Sequence, residues 1–342
     1  MHCIDSIGIQ KLHQLFRIQR TSVEKEFSPY FYRYFNRYFR NPDKFNNYLE
    51  LCQYLFRVTK AKDASVLDLG CGFGLMATIF GLYGSREVVG YDLNDEKIGL
   101  FKKMFLYLDL ETNNVKPVLG DSSNIEYPNE YFDVAITNET FSHIREIEKS
   151  IVEVHRVLKA GGSFLIRDGN NSLFIPGRTT RRRFWRRIEQ GPVDPSWFRS
   201  TDIPLPYFAI RQKKILDKFP QMDAVKIDFL SRATAGMFGE EIFKAVEDFE
   251  KNGKIPNKPI FRYRNPITGE YPEKEINPFA LKKMLQRAGF KVSIIPHFYS
   301  ESFRDFEMAV KRFYYLAEKY LPLIHLFLSP GFALLGVKKR LD

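Results

Sequence analysis

The sequence predicts an α/β protein built on a doubly wound, mostly parallel sheet. Three observations carry that expectation. Short apolar runs alternate with amphipathic helices from Ser65 onward, the first of these runs ends in a glycine-spaced turn, and the alternation returns near the C-terminus after a long interruption.

The first sixty residues read as a helical cap. Phe31, Phe35 and Tyr38 recur at helical spacing with Arg33, Arg37 and Arg40 on the other side, and Asn41-Pro42-Asp43 supplies a stop and a cap. A second helix over 45–56 turns Tyr48, Leu49, Cys52 and Leu55 inward. Strands are then expected at 65–69, 87–92, 116–120, 132–137 and 163–167, with helices at 74–84, 94–109 and 144–159. The last of these helices carries a stripe of Ile144, Ile147, Ile151, Val154 and Leu158, and Gly161-Gly162 is read as its terminator. Strands separated by helices at this spacing imply parallel crossover units and a doubly wound sheet.

Regularity stops between 169 and 276, where most of the prolines fall. It resumes with the helix NPFALKKMLQRAGF, the strand KVSIIPHF and a final apolar strand, FALLGVKK. The domain reading is therefore a cap over 1–60, a core over 61–168, an insertion over 169–276 acting as a substrate-binding lid, and a return to the core over 277–342.

Composition narrows the function classes. The 342 residues are 44% hydrophobic and 27% charged, which is globular in character and long enough for a sizeable core. The opening segment mixes charge and apolar residues and does not read as an export signal, and the apolar C-terminal stretch is broken by Pro322, His325 and Pro330, so a cytoplasmic protein is expected. Cys3, Cys52 and Cys71 lack metal or disulfide spacing and are read as reduced thiols, with no metal site. The net charge of +11 favours an acidic partner, with nucleic acid, a peripheral membrane contact and phosphorylated small molecules all open. Nothing in the sequence sets an oligomeric state.

The stretch VLDLGCGFG, residues 66–74, spends Gly70, Gly72 and Gly74 on alternate positions after Asp68, which implies a close backbone approach by a ligand. A dinucleotide fingerprint would need glycine where Leu75 stands, so a pyrophosphate cradle is disfavoured. What the residues resemble is the class I S-adenosylmethionine-dependent methyltransferase family, whose first motif has the form D-x-G-x-G-x-G. GYDLN, and FDVAITNETFSHI followed by EVHRVLKAGGSFLI with Ala160 at the family's usual proline, extend the resemblance to about 61–168. The C-terminal segments from 277 extend it further and imply a seven-stranded sheet whose last strand is antiparallel.

The resemblance implies S-adenosylmethionine as cofactor, held at Asp68, Gly70, Cys71, Gly72 and Gly74. It further implies Asp92 as the ribose ligand, Leu93 beside the adenine, Asp121 and Ser122 at the adenine amino group, and Asn138 at the end of the fourth strand. A hydroxyl acceptor also needs a general base, for which His143 is the candidate with Glu139 as orienter or alternative. His155 and Glu153 are read as structural. NETF lacks the prolines of the amine-transferring motif, so oxygen or carbon acceptors are favoured.

The insertion's strongest feature is RTTRRRFWRR, with six arginines and no acid over 178–187. Guanidinium forks suit phosphate and carboxylate, so Arg178, Arg182, Arg183 and Arg186, with Trp185 as a stacking ring, are the acceptor-binding candidates. A solvated face paired with acids elsewhere is the competing reading. Three functions follow in order: an O- or C-methyltransferase acting on a small or medium anionic acceptor such as a phosphorylated, nucleotide-linked or lipid-linked sugar or natural product; an RNA methyltransferase, without a recognisable RNA-binding module; and a non-catalytic, cofactor-binding partner protein.

Overall fold

β1 (Ser65–Leu69) is buried along its whole length, as a central parallel strand covered on both faces must be. Around it the structure, a computed structural model, describes residues 10, 12, 42–108, 114–194, 203–255, 261–297, 312–313 and 316–340. The expected helix carrying Phe31, Phe35 and Tyr38 lies outside the described residues.

α1 (Pro42–Thr59) places Phe45, Tyr48, Cys52 and Leu55 in the core. Then come α2 (Leu75–Leu82), β2 (Glu87–Asp92), α3 (Asp95–Leu108), β3 (Val115–Leu119), β4 (Phe132–Asn138), α4 (Ile147–Val157) and β5 (Leu158–Gly169). After four further helices follow α9 (Pro278–Arg287), β6 (Phe290–Ile295), the short α10 (Pro322–His325) and β7 (Gly331–Lys338). The seven strands form one sheet in the order β3-β2-β1-β4-β5-β7-β6. β7 runs antiparallel to both β5 and β6, and all other pairs are parallel. Pro117 is tolerated in β3 because that strand lies at the sheet edge, where a missing donor costs no ladder bond.

The order reverses between β1 and β4, so the loops after these two strands open a crevice at their carboxyl ends. The glycine turn follows β1 and the Asn138-Glu139 corner follows β4. Both expected site segments thus flank the switch point.

One local expectation fails. Gly161-Gly162 does not end α4, which stops at Val157; both glycines sit inside the irregular start of β5. Register passes from Phe132↔Leu158 to Val134↔Ser163, so the chain bulges there, and Gly161 takes φ 80° to allow it.

The chain divides into two compact units. The first contains the described residues of Met1–Phe141, Glu146–Ile175 and Ile276–Asp342, and hence the sheet; the second contains Ser142–Arg145 and Pro176–Glu275. The second unit is helical, with α5 (Ile175–Gln190), α6 (Tyr207–Lys218), α7 (Ala224–Ala233) and α8 (Glu240–Asn252). Its core is Ile215, Ile227, Leu230, Met237, Ile242, Ala245 and Val246, a helical stripe in α8 meeting α6 and α7. Among the described residues no helix is long and apolar enough to cross a membrane.

Candidate functional site

All three glycines of the turn adopt left-handed backbone, with φ 74°, 58° and 73° at Gly70, Gly72 and Gly74, so each position disfavours a side chain. Their surroundings differ. A Cβ on Gly70 would fall 1.9 Å from Thr140 Cγ2, and one on Gly74 2.1 Å from the ring of Phe101. A Cβ on Gly72 would meet nothing within 4 Å. Gly70 and Gly74 are therefore required by packing, whereas Gly72 leaves a bare backbone facing open space.

The turn is pinned to the end of β2. Tyr91 O accepts from the amides of Gly70 and Cys71 at 2.6 and 3.2 Å, and Asp92 Oδ2 accepts from Gly72 N at 2.9 Å. Asp92 Oδ1 accepts from Asn94 N at 2.9 Å, and Lys97 Nζ lies 3.9 Å from Oδ2. The carboxylate thus braces the turn, and its two oxygens retain lone pairs for a further donor each. Leu93, next in the chain, is 61% exposed, an apolar surface left uncovered at this edge.

Asp68, at the level of Ile136 in β4, is buried, and its Oδ2 has no hydrogen-bond donor. Burial, with a further contribution from the charge of Asp92, raises its carboxyl to about 7. A buried carboxyl with one oxygen left without a donor is costly, and a cationic ligand group is a natural complement. Cys71 differs from expectation: its thiol is buried in the sheet-side core, with a pKa pushed up by that burial, so only its backbone belongs to the turn.

After β3, Asp121 Oδ1 accepts from both the amide and the hydroxyl of Ser123 at 2.8 Å, and the carboxylate is exposed. The Ser122 hydroxyl instead shares a 2.8 Å bond with Ser150 on α4. The amide of Ser122 is thereby held in a short, braced loop.

At the end of β4 the organising residue is Arg167 of β5, which the sequence reading did not single out. It pairs with Asn138 in register and is only 8% exposed. Its Nη1 donates to Asn138 Oδ1 at 2.8 Å and lies 3.5 Å from Glu139 Oε1; its Nη2 donates to His297 Nε2 at 3.3 Å. Its Nε has no hydrogen-bond partner. Glu139 holds φ 54°, unusual for a side-chain-bearing residue, with its amide donating to Arg167 O at 2.7 Å. The available signal was a lone cation at the end of an apolar strand, SFLIRDG.

His143 belongs to the second unit. It is exposed, and its Nδ1 lies 3.0 Å from Tyr271 O, a contact that sets Nδ1 as the protonated nitrogen and leaves the Nε2 lone pair as the basic one in the neutral ring. Within that unit Lys274 N donates to Ser142 O at 2.7 Å, which fixes the same short segment. His155 packs edge-on against Phe290, and Glu153 accepts from Ile125 N and Arg156, both structural roles.

On α5 the arginines separate. Arg181 pairs with Glu273 at 2.6 Å and Arg178 approaches Glu275 at 3.7 Å, while Arg182, Arg183 and Arg186 are exposed. Trp185 corrects the expectation of a stacking ring: it is 3% exposed, stacks on Tyr263 at 5.5 Å and gives its indole N–H to Glu273 O. Alternating exposure along one helix places the tryptophan on the inner face and these three arginines on the outer one.

Gly72 and Gly74 separate ligand contact from packing in a testable way. Gly74→Ala is expected to lose about 3 kcal/mol of stability from overpacking plus the left-handed backbone. Gly72→Ala is expected to lose roughly 1 kcal/mol from backbone conformation alone, yet at least about tenfold in S-adenosylmethionine affinity. Thermal unfolding and calorimetric titration of both variants check this; equal affinity in Gly72→Ala and the wild type would remove the ligand from that face.

Residues 67–166 match the family model described as a methyltransferase domain. The chain is 32% identical over 103 residues to sterol 24-C-methyltransferase erg-4 of Neurospora crassa, covering 30% of this chain and 27% of that protein. It is 31% identical over 103 residues to the uncharacterized methyltransferase YcgJ of Bacillus subtilis, covering 30% and 40% respectively. It is 27% identical over 115 residues to a probable S-adenosylmethionine-dependent methyltransferase of Mycolicibacterium smegmatis, covering 34% and 42%. The matches thus span less than half of these relatives' lengths. With a three-glycine turn braced by an acid at the end of β2, a switch point at β1/β4 and an antiparallel β7, the chain carries over residues 67–166 a methyltransferase domain of the class I S-adenosylmethionine-dependent kind.

Proposed function

We propose that the protein transfers a methyl group from S-adenosylmethionine to an oxygen or carbon nucleophile of a small or medium anionic acceptor, of the kind presented by a phosphorylated, nucleotide-linked or lipid-linked sugar or natural product. The observation that carries this is the combination of an open backbone at Gly72, a buried Asp68 whose Oδ2 has no donor, and a carboxylate at Asp92. The cofactor supplies a methyl carbon already made electrophilic by its sulfonium.

The chain's residues then bind, align and accept a proton. Asp68 complements a cationic group, Asp92 accepts from a ribose diol, Leu93 and the Asp121-Ser122 loop border the base, and Gly72 admits the ligand to the backbone. Alignment and exclusion of water are the main demands of such a transfer. A hydroxyl acceptor must also lose its proton; the Nε2 of His143, whose ring is oriented by Tyr271 O, is the assigned base, and Glu139 is the alternative. The sterol relative's name describes transfer to carbon, which supports keeping carbon acceptors beside oxygen. The second unit, through its exposed arginines, is assigned to the acceptor.

The test supplies methyl-labelled S-adenosylmethionine and purified protein to a cell extract split into RNA, lipid and soluble pools, with Asp92→Ala as control. Label in the soluble or lipid pool with the wild type only is the expected result. Label confined to RNA would replace the acceptor class, and no label despite cofactor binding would remove the catalytic reading.

A further inference from the structure

The arginine-rich helix α5 contributes to a pocket that lies wholly within the second unit. The pocket has a volume of about 130 Å³ and is lined by Arg186, Glu189 and Gln190 of α5, Phe208 of α6, Arg232 of α7, and Arg262 with Tyr263. Arg186, Glu189 and Gln190 share one face at i, i+3 and i+4. The loop carrying Arg262 is anchored because Tyr263 stacks on the buried Trp185.

The charges around this pocket do not cancel. Glu189 is bound by Arg211, a fully buried guanidinium whose Nε also donates to Ser231 O at 2.8 Å, so the carboxylate at the floor is neutralised from below. Arg232 is matched by Asp228 through bonds of 2.9 and 3.1 Å, and its guanidinium lies 4.6 Å from the Phe208 ring centre. Arg186 and Arg262 line the same pocket, and among the described residues neither has an ion-pair partner. Arg262 feels the charge of Glu189 at longer range, yet Arg186, Arg211, Arg232 and Arg262 outnumber Glu189 and Asp228, and this net positive pocket, with aromatic edges at Phe208 and Tyr263, forms a dianion receptor with an apolar border.

We infer that this pocket binds the phosphate group of a small phosphate monoester, held by Arg186 and Arg262 with Arg232 alongside. The pocket has room for a phosphoryl group and its ester oxygen. A phosphate monoester carries close to two negative charges at neutral pH, which two unpaired arginines match, and guanidinium forks bind its oxygens bidentately. The inference deepens the acceptor reading by naming the anion and its seat, and it rests on the second unit being the acceptor-binding part. Of the arginines singled out from sequence, only Arg186 lines the pocket; Arg178 approaches Glu275 of the same unit.

Phenyl phosphate is the probe, titrated calorimetrically into the full-length protein with phenol and inorganic phosphate for comparison. One phenyl phosphate per chain is expected, binding at least about tenfold tighter than phenol, with affinity reduced at least about tenfold in Arg186→Ala and in Arg262→Ala. Both side chains are exposed, so thermal unfolding of these variants should match the wild type, and Arg182→Ala, outside the pocket lining, should retain full affinity. S-adenosylmethionine titrations run in parallel report on the cofactor reading independently of this pocket. Phenyl phosphate binding that is absent, or unchanged in both pocket variants, overturns the assignment. Tight retention of transfer RNA or of anionic phospholipid vesicles with no phenyl phosphate binding would likewise overturn it in favour of a macromolecular or membrane phosphate.

Discussion

Asp92→Ala is expected to weaken S-adenosylmethionine binding by at least about a hundredfold, read by calorimetric titration. On the proposed reading the carboxylate accepts two ribose hydroxyls, and each hydrogen bond to a charged acceptor contributes about 1.5–3 kcal/mol. The substitution also removes the brace on Gly72 N at 2.9 Å and the acceptor for Asn94 N, so part of the loss comes through the turn itself. Asp92→Asn separates the two contributions. Its carbonyl can keep one backbone amide, so the turn is largely retained while bidentate acceptance of the diol is lost. Wild-type affinity in Asp92→Ala would move the ribose elsewhere, and full affinity in Asp92→Asn would leave the residue only its bracing role.

Asp68 should control how the ligand-free protein responds to pH. Its folded carboxyl titrates at about 7, against about 3.9 in an unfolded chain. Between these values the folded protein retains a proton that the unfolded chain has released. The stabilisation from this group is therefore complete below about pH 4 and is lost as the pH rises through 7, a difference of ~4 kcal/mol for a three-unit shift. Asp68→Asn cannot ionise, so its melting temperature should exceed the wild type's at pH 8 and approach it near pH 4, while its cofactor affinity falls. Saturating cofactor should flatten the wild-type profile, because a cationic group beside Asp68 favours the ionised form. Melting temperatures of wild type and variant that run in parallel from pH 5 to 8 would refute the account.

These two residues show what kind of information the sequence held. Asp68, the glycines and Asp92 are legible because each follows an apolar strand-like run, and strand ends are where a parallel sheet presents its ligands. β1 and β2 occur at the expected 65–69 and 87–92. The same local reasoning misplaced Gly161-Gly162, since a glycine doublet after an amphipathic stripe looks alike whether it caps a helix or loosens a strand. The pairing of Leu158 with Phe132 decides between them.

The helices of the second unit were not resolved from sequence, although Ile242, Ala245, Val246 and Phe249 recur at helical spacing. The neighbouring α6 buries Arg211 among its apolar residues, which blurs the periodic signal and makes sense only once Glu189 and Ser231 O are beside it. Trp185 is similar. Among six arginines it looked like a ring offered to solvent, and only the packing of Tyr263 and the carbonyl of Glu273 place it inside.

By itself the sequence determined the order of strands and helices, the glycine turn and the acids at strand ends, because these depend on residues a few positions apart whose spacing matches the backbone's own period. The tertiary structure alone decided which glycine faces open space, that Arg167 gathers Asn138, Glu139 and His297, and which arginines have no close ion pair. Those properties are set by contacts between residues distant in the chain, where each side chain's charge and burial depend on what the fold brings against it.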